Sequence, residues 1–244
     1  MATMASGPQE TSIEHRTLTR GATLVPVVHA RPDGMPKAGI VLHPDIMGVR
    51  PLFDDMAQRL ASHGFAVAVV EPFARHSESE RAAADVATRM GWVAGLDDDD
   101  QLGDLEAAAN LLVVEDDITT VGVLGFCMGG MYALKAAATE RFDRAVVFYG
   151  QLRPPENWLG PNLRAPLETA AEVCPTLAIF GGADAMTPAA DIEALRAAWA
   201  ARTDCEIVVV EGAEHGFIHD PDRPAHRADA AAELWPRALA WLAS

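Results

Sequence analysis

Features that take a protein to a membrane or an oxidising compartment are scarce in this 244-residue sequence. It has three cysteines, Cys127, Cys174 and Cys205, whose odd number and spacing fit neither a disulfide framework nor a zinc site. Residues 1–20 lack the apolar core of a signal peptide, and no stretch approaches the roughly 18 apolar residues of a membrane span. We therefore expect free thiols in a reducing cytoplasm and no membrane partner.

Basic charge is also scarce, because the formal net charge is −16 at pH 7. Such a surface would repel nucleic-acid phosphates, so we expect no nucleic-acid partner. Half of the residues are hydrophobic, which is ordinary for a globular protein, and the chain is long enough for one sizeable core. We expect a single domain over residues 1–244, with residues 1–14 forming a flexible N-terminal extension.

Short apolar runs alternate with longer stretches of helical periodicity along the chain. The runs after residue 60 are nearly continuous Val, Ala, Leu, Ile and Phe, which is typical of strands buried on both faces. The pattern predicts strands at 23–29, 39–43, 65–70, 120–125, 145–149, 176–180 and 206–210, and helices at 52–63, 78–91, 101–114, 129–139, 188–201 and 226–242. It indicates an α/β fold with a mostly parallel central sheet and helices on both faces.

Three other segments carry local signals. An antiparallel hairpin from residue 17 to residue 43, with its turn near Asp33, fits the start of the chain. The aspartates at 97–100 precede a helical stretch, where the helix dipole favours carboxylates; a metal or charge motif is the alternative. The segment 151–172 has four prolines and no periodicity, which predicts a surface excursion that could border a substrate pocket.

The strand predicted at 120–125 leads directly into Cys127 and then into a helix. Gly125 and Gly129 stand two residues before and after the cysteine, where a sharp strand-to-helix turn is most crowded. The pattern is G-x-C-x-G, the cysteine form of the turn that presents a nucleophile at the carboxyl edge of the sheet. The start of the following helix would favour the thiolate. The alternative is a buried structural cysteine beside an ordinary glycine turn.

Two further polar residues follow the ends of later predicted strands. Asp184 comes after the strand at 176–180 and His215 after the strand at 206–210, so both should share an edge with Cys127. Cys, Asp, His is also the chain order that α/β-hydrolases use. Asp184 could instead cap the next helix, and His215 could be an ordinary loop histidine. The three positions taken together favour a catalytic triad.

Such a triad assigns a role to each residue. His215 would take the thiol proton of Cys127 and later activate the hydrolytic water. Asp184 would orient the imidazole and stabilise its charged form. The oxyanion of the tetrahedral intermediate needs backbone N–H donors, one from Met128 and the other from the loop at residues 43–48.

In these motifs the sequence resembles the dienelactone hydrolases, cysteine-dependent members of the α/β-hydrolase fold. The resemblance spans roughly residues 36–243. It rests on spaced motifs in the same order, at residues 41–48, 103–108, 125–130, 182–184, 215–217 and 235–239. It implies that Cys127, Asp184 and His215 form the triad, and that Ile46 and Met128 supply the oxyanion N–H groups.

Two positions depart from the pattern of this family. Members with dienelactone activity carry a glutamate in place of Asp45, where it contacts the resting thiol; Asp45 is one methylene shorter, and could simply bond local backbone. Those members also hold the substrate carboxylate with arginines, one of them at the position of His219, and a neutral imidazole lacks that bidentate grip. Arg81 or Arg89 could supply the other cationic contact. Asp45, His219 and Arg81 are thus candidates for thiol activation and substrate binding.

The resulting hypothesis is a hydrolase that cleaves a lactone or ester through a thioester acyl-enzyme on Cys127. Its partner would be a small-molecule ester or lactone, although dienelactone itself is not the expected substrate. His43, His219 and His226 lack the spacing of a zinc site, so we expect no metal and no cofactor. A general carboxylesterase or thioesterase is one alternative, and a catalytically silent small-ligand-binding protein on the same fold is another. The resemblance favours a monomer.

Overall fold

An eight-stranded sheet forms the centre of the computed structural model, which describes residues 3–159 and 162–244. Its strands are β1 (Thr11–Arg20), β2 (Thr23–Pro32), β3 (Ala38–His43), β4 (Phe65–Val70), β5 (Val121–Phe126), β6 (Arg144–Phe148), β7 (Thr176–Gly181) and β8 (Cys205–Val210). The spatial order is β1-β2-β4-β3-β5-β6-β7-β8. All neighbours from β4 to β8 are parallel, whereas β2 is antiparallel to both β1 and β4. The predicted mostly parallel sheet is confirmed.

Helices cover both faces of this sheet. In the described part of the chain they are α1 (Pro51–Ser62), α2 (Glu78–Ala83), α3 (Val86–Val93), α4 (Asp98–Glu115), α5 (Met128–Ala136), α6 (Ala189–Ala198) and α7 (Ala228–Ala243). Helices α1 and α7 pack on one face, while α4, α5 and α6 pack on the other. None of these described helices combines the length and apolar character needed to cross a bilayer.

Each inner strand contributes alternate side chains to the two cores. In β4, Val67 and Val69 pack with α1 and α7, whereas Ala66, Ala68 and Val70 pack on the opposite face. Burying one such valine stabilises the fold by about 1.5–3 kcal/mol. Because all six residues of β4 are buried, its sequence is a continuous apolar run rather than an alternation.

The first hairpin differs from the prediction. Its turn lies at Gly21, which has a φ of 60°, and not near Asp33. A two-residue hairpin turn requires positive φ, which glycine adopts without strain. The strand before it, β1, was not predicted because it is a largely exposed edge strand without an apolar run.

The prediction of a flexible extension over residues 1–14 is wrong for the described residues of that segment. Strand β1 already begins at Thr11, and Met4 is only 2% exposed in the core beside α1 and α7. The hydroxyl of Thr3 donates to the carbonyl oxygen of Ile218. One buried side chain and a few hydrogen bonds therefore hold a segment that shows no apolar periodicity.

The helix predicted at 78–91 is two helices, α2 and α3. The chain is extended at Ala84, and the side chain of Asp85 accepts the N–H of Thr88 over 2.8 Å. This hydrogen bond is a helix N-cap, so a new helix begins where the prediction placed a helix interior.

The aspartates at 97–100 lie at the start of α4, as the helix-dipole interpretation predicts. The side chain of Asp97 caps the helix by accepting the N–H groups of Asp99 and Asp100. Their position is therefore explained by helix initiation.

The proline-rich segment 151–172 contains two single turns of 3₁₀ helix. It buries Leu152, Trp158 and Leu163 in the core beside α4 and α5, so part of it is structural. Residues 160 and 161 lie outside the described residues.

Candidate active site

Cys127 occupies a sharp turn between β5 and α5. Its φ of 56° and ψ of −118° form a strained conformation that residues with a side chain rarely adopt. A Cβ on Gly125 would lie 2.0 Å from the carbonyl oxygen of Gly129, and a Cβ on Gly129 would lie 2.1 Å from that of His43. Both glycines are required because backbones approach so closely. The turn places Cys127, partly exposed, at the carboxyl edge of the sheet.

The other two cysteines lie at the opposite edge. Cys205 is the first residue of β8, and Cys174 precedes β7. All three cysteines are unpaired. Burial raises the pKa of Cys174 to about 12 and also raises the pKa of Cys205. Neither thiol is therefore readily ionised near neutral pH.

Asp184 and His215 meet at the same edge as Cys127. They follow β7 and β8, and their loops are joined by a 2.9 Å hydrogen bond from the N–H of Ala183 to the carbonyl of Ala213. Nδ1 of His215 lies 2.8 Å from Oδ2 of Asp184, which is fully buried. The second carboxylate oxygen accepts the N–H of Met186 over 2.8 Å. The carboxylate is thus held by two bonds, one of them to the imidazole.

The charged form of His215 is favoured by its neighbours. Burial alone would lower its pKa, but the hydrogen bond with Asp184 and the adjacent Cys127 raise that pKa to about 10. Nε2 of His215 is buried and has no hydrogen-bond partner among the described residues. This nitrogen is the one that remains available for proton transfer.

The loop after β3 is shaped by Asp45. One carboxylate oxygen accepts the N–H of Met47 over 2.9 Å, and the Asp45 carbonyl accepts the N–H of Gly48 over 2.9 Å. These bonds close a turn that contains Ile46 and ends at Gly48, where φ is 66°. Met128 is the first residue of α5, where an N–H group has no partner within the helix. The segments of Ile46 and Met128 therefore share the edge that carries Cys127.

The carboxylate of Asp45 is engaged inside the protein. Arg50 binds both of its oxygens, over 2.6 and 2.8 Å, and Nε2 of His219 lies 2.8 Å from Oδ2. Burial would raise the pKa of Asp45, but the hydrogen bonds from His219 and Arg50 hold it well below its usual range. The partners of this carboxylate among the described residues do not include the thiol of Cys127, unlike the family's glutamate.

His219, a candidate for thiol activation or substrate binding, is fully buried. Its Nε2 faces Asp45, and its Nδ1 lies 2.6 Å from the hydroxyl of Tyr149. Both ring nitrogens are therefore already bonded within the protein. Tyr149 and Arg50 were missed from the sequence. The position of Tyr149 directly after β6, with a φ of 39°, is a signal that only the structure supplies.

Arg81 and Arg89 are placed differently. The guanidinium of Arg81 donates to the carbonyl of His76, at the start of its own helix. Arg89 is 5% exposed; its Nη2 donates to the carbonyl of Arg81 over 2.6 Å, and its Nη1 lies 4.0 Å from Glu71. Nε and Nη1 of Arg89 have no hydrogen-bond partner among the described residues. A Cβ on Gly48 would lie 3.1 Å from Nη1, so Arg89 borders the loop of Asp45.

In the part of the chain that the structure describes, no three His, Cys, Asp or Glu side chains are grouped so as to hold a metal ion. His43 is buried, stacks on Tyr132 and is hydrogen-bonded to Gln101 and to the Pro44 carbonyl. His219 is bonded to Asp45 as described above.

The sheet and the three loops at its carboxyl edge define a class of protein. A sharp turn with a nucleophile-type residue after β5, an acid after β7 and a histidine after β8 are the architecture of the α/β-hydrolase fold. The model of the dienelactone hydrolase family matches residues 25–244. The chain belongs to the dienelactone hydrolase family, and it is a hydrolase of that family.

Relatives and solved structures agree with this assignment. The carboxymethylenebutenolidase of Rhodococcus opacus is 31% identical over 234 residues, which are 95% of this chain and 90% of that protein. An Escherichia coli (strain K12) protein provisionally named carboxymethylenebutenolidase is 32% identical over 225 residues, covering 89% of this chain and 81% of the relative. The crystal structure of a protein provisionally named dienelactone hydrolase, from Klebsiella pneumoniae, has a TM-score of 0.87 at 27% identity, covering 96% of this chain and 99% of that chain.

Proposed function

We propose that this enzyme cleaves a lactone or carboxylic ester through a thioester on Cys127, in a triad with His215 and Asp184. One observation carries the proposal. A strained turn presents Cys127 at the same edge as His215, whose Nδ1 is bonded to a buried carboxylate and whose buried Nε2 has no hydrogen-bond partner in the described part of the chain. A nucleophile beside a base that a third group orients is the arrangement that covalent acyl transfer needs.

In the proposed mechanism, the thiol proton of Cys127 passes to Nε2 of His215, and the sulfur attacks the substrate carbonyl carbon. Collapse of the tetrahedral intermediate breaks the carbonyl–oxygen bond, and the leaving oxygen takes the proton from His215. His215 then deprotonates a water molecule, which attacks the thioester and releases Cys127. Asp184 holds the ring tautomer throughout and stabilises its cation.

The oxyanion of both tetrahedral intermediates would be bound by the N–H groups of Ile46 and Met128. The first belongs to the turn that Asp45 closes, and the second begins α5. Removing one donor of this kind lowers turnover by roughly 10²–10³-fold. The dipole of α5 would add a favourable field for the developing negative charge.

Activated esters are the proposed substrate class. A thiolate attacks such carbonyls well and is also a good leaving group, so enol lactones, activated esters and thioesters suit it better than amides. The carboxymethylenebutenolidases among the relatives support a lactone. Arg89 is better placed than Arg81 to meet a substrate anion, because it is buried beside the Asp45 loop and its Nε and Nη1 have no hydrogen-bond partner among the residues that the structure describes. A general carboxylesterase or thioesterase is the alternative within the same chemistry.

A panel of enol lactones, saturated lactones, thioesters and p-nitrophenyl esters of varied acyl length tests this proposal. We expect Cys127→Ala to lower hydrolysis of the preferred substrate by orders of magnitude and the control Cys174→Ala to leave it unchanged. A strong preference for long unrelated acyl chains would favour the carboxylesterase alternative. A fully active Cys127→Ala protein would contradict the mechanism. Binding without any hydrolysis would favour a catalytically silent ligand-binding protein.

We also propose that the enzyme acts as a monomer in the cytoplasm. Three unpaired cysteines suit a reducing compartment. Light scattering should give a mass near the 26.0 kDa of one chain, and twice that mass would contradict a monomer.

A further inference from the structure

A chain of buried polar side chains outside the proposed triad links three loops of the site. The hydroxyl of Tyr149 lies 2.6 Å from Nδ1 of His219, and Nε2 of His219 lies 2.8 Å from Asp45. Arg50 completes the chain by binding both oxygens of Asp45. Tyr149, His219 and Asp45 are each at most 2% exposed. The end of β6, the loop after β8 that carries His215 and His219 (the histidine loop) and the loop after β3 are thereby joined.

The proton positions along this chain follow from the environment. Burial lowers the pKa of His219 and raises the pKa of Tyr149, so the imidazole and the phenol are both neutral near pH 7. The hydroxyl of Tyr149 therefore donates to Nδ1 of His219. The Nε2–H of His219 then donates to the carboxylate of Asp45, which remains ionised.

Asp45 links this chain of side chains to the backbone of the loop after β3. The oxygen that does not face His219 accepts the N–H of Met47, and the Asp45 carbonyl accepts the N–H of Gly48. Rotation of this carboxylate would therefore turn the peptide groups of the loop, including that of Ile46. Because Arg50 binds both oxygens of the carboxylate and His219 binds one of them, the loop is held in one orientation.

We propose that His219 is a positioning residue, which holds Asp45 so that the loop after β3 presents the N–H of Ile46 to the reaction oxyanion. This inference rests on the proposed function, and it adds a role for Asp45 and His219 in positioning an oxyanion donor. Asp45 acts here on the oxyanion site, and not on the thiol as the glutamate of the resembling family members does.

Two reactions of Cys127 separate these roles. Ester cleavage builds negative charge on an oxygen and needs the oxyanion donors. Alkylation by iodoacetamide forms a sulfur–carbon bond while iodide leaves, and no oxyanion develops. Loss of oxyanion positioning therefore slows ester cleavage alone, whereas loss of thiol activation slows both reactions.

The test compares His219→Asn with its matched control His219→Gln. A glutamine amide reaches the position of Nε2 and can donate to Asp45, whereas an asparagine amide ends near Nδ1 and cannot. We expect His219→Asn to lower kcat for ester cleavage by roughly 100-fold with a smaller change in KM. Its rate of Cys127 alkylation, followed by peptide mass mapping, should stay within about twofold of wild type. His219→Gln should recover most of the lost kcat.

Equal losses of ester cleavage and alkylation in His219→Asn would overturn the inference, and so would unchanged ester cleavage. Circular dichroism checks that the variant folds. If it does not fold, Tyr149→Phe, which deletes only one hydroxyl, provides the same comparison with a smaller expected loss of kcat. Failure of the proposed function itself has a different signature, namely wild-type hydrolysis that does not depend on Cys127.

Discussion

Two buried carboxylates hold two histidines in opposite charge states. Asp184 and the adjacent Cys127 raise the pKa of His215 to about 10 against the effect of burial. Asp45 makes the same type of contact with His219, but there the effect of burial is larger than that of the carboxylate, and the pKa of His219 is lowered. Burial lowers the pKa of His219 most, and the charges of Arg50 and Arg223 lower it further, whereas Cys127 adds to the effect of Asp184 on His215. One pair thus suits proton transfer and the other suits positioning.

The raised pKa of His215 predicts a pH-dependent contribution to stability. A group whose pKa rises on folding stabilises the fold fully below its unfolded pKa of about 6.5, and this contribution is lost as pH rises towards 10. We expect wild type to exceed His215→Gln in free energy of unfolding most at pH 6, with the excess shrinking by pH 9.5. Urea unfolding at several pH values measures it; a constant excess would show that the pKa is not raised.

The burial of Arg89 predicts a charge-selective effect on substrate binding. Arg89→Met should raise KM for anionic esters by about tenfold, the loss of one charge-assisted hydrogen bond, and should change KM for neutral esters little. Arg81→Met is the matched control, because its guanidinium is bound to the His76 carbonyl. Steady-state kinetics on paired anionic and neutral esters measures both. A similar rise for neutral esters would assign Arg89 a structural role only.

Among the elements, the junction of β5 and α5 is the most tightly constrained. The start of α5 packs its backbone against the residues that end β3, so the turn of Cys127 and the loop after β3 are in direct contact. No side chain fits between them at Gly129. The geometry of one loop is therefore transmitted to the other by backbone contact.

This contact predicts that Gly129→Ala destabilises the protein, and Gly91, which has no such contact, provides the control. Gly129→Ala would place a Cβ 2.1 Å from the His43 carbonyl oxygen and 2.3 Å from the Pro44 carbonyl oxygen, so we expect a loss of about 1–3 kcal/mol or more. Gly91→Ala, in α3, meets no atom within 4 Å and should gain about 0.5–1 kcal/mol of helix stability. Urea unfolding compares the two variants. A stable, fully active Gly129→Ala protein would contradict the account of this turn.

Elements with a strong local signal could be predicted from the sequence. The apolar run of β4 and the glycines around Cys127 each report a local requirement, either burial on both faces or close backbone approach. The exposed edge strand β1 and the helix break at Asp85 carry weaker signals, which the larger periodic pattern obscured.

The residues of the candidate site also differ in how far the sequence predicts them. Asp184 and His215 could be found because each follows a recognisable strand, and parallel strands bring their ends together. The hydrogen bond between Asp45 and His219 joins residues 174 positions apart, and no local sequence pattern predicts it. Such a contact depends on how the loops fold over the sheet edge, which periodicity does not describe.

On the scale of the whole molecule, two hydrophobic cores are separated by one sheet, and the N-terminal segment closes one of them. Met4 packs in the core beside α1 and α7, and the Thr3 hydroxyl accepts the indole N–H of Trp235 over 3.0 Å. Thr3 also donates to the carbonyl of Ile218, next to His219. The N-terminal segment is therefore hydrogen-bonded to the histidine loop beside His219.

Met4→Ala should destabilise the protein by about 2 kcal/mol, the low end of the range for truncating a buried methionine, because the site lies near a chain end. Met35→Ala is its control, since Met35 is 85% exposed and the change should cost less than about 0.5 kcal/mol. Chemical denaturation of both variants tests the packing. Equal stabilities would mean that the segment does not close the core in solution.

The central claim, acyl transfer through Cys127, is tested most directly by intact mass after rapid acid quenching of the enzyme with an enol lactone. Attack on a lactone opens the ring without losing any atoms, so the acyl-enzyme should be heavier by the whole mass of the lactone. We predict one such adduct, mapped to Cys127, removed by hydroxylamine and absent from Cys127→Ala. Turnover without an adduct, or an adduct on another residue, would contradict the account.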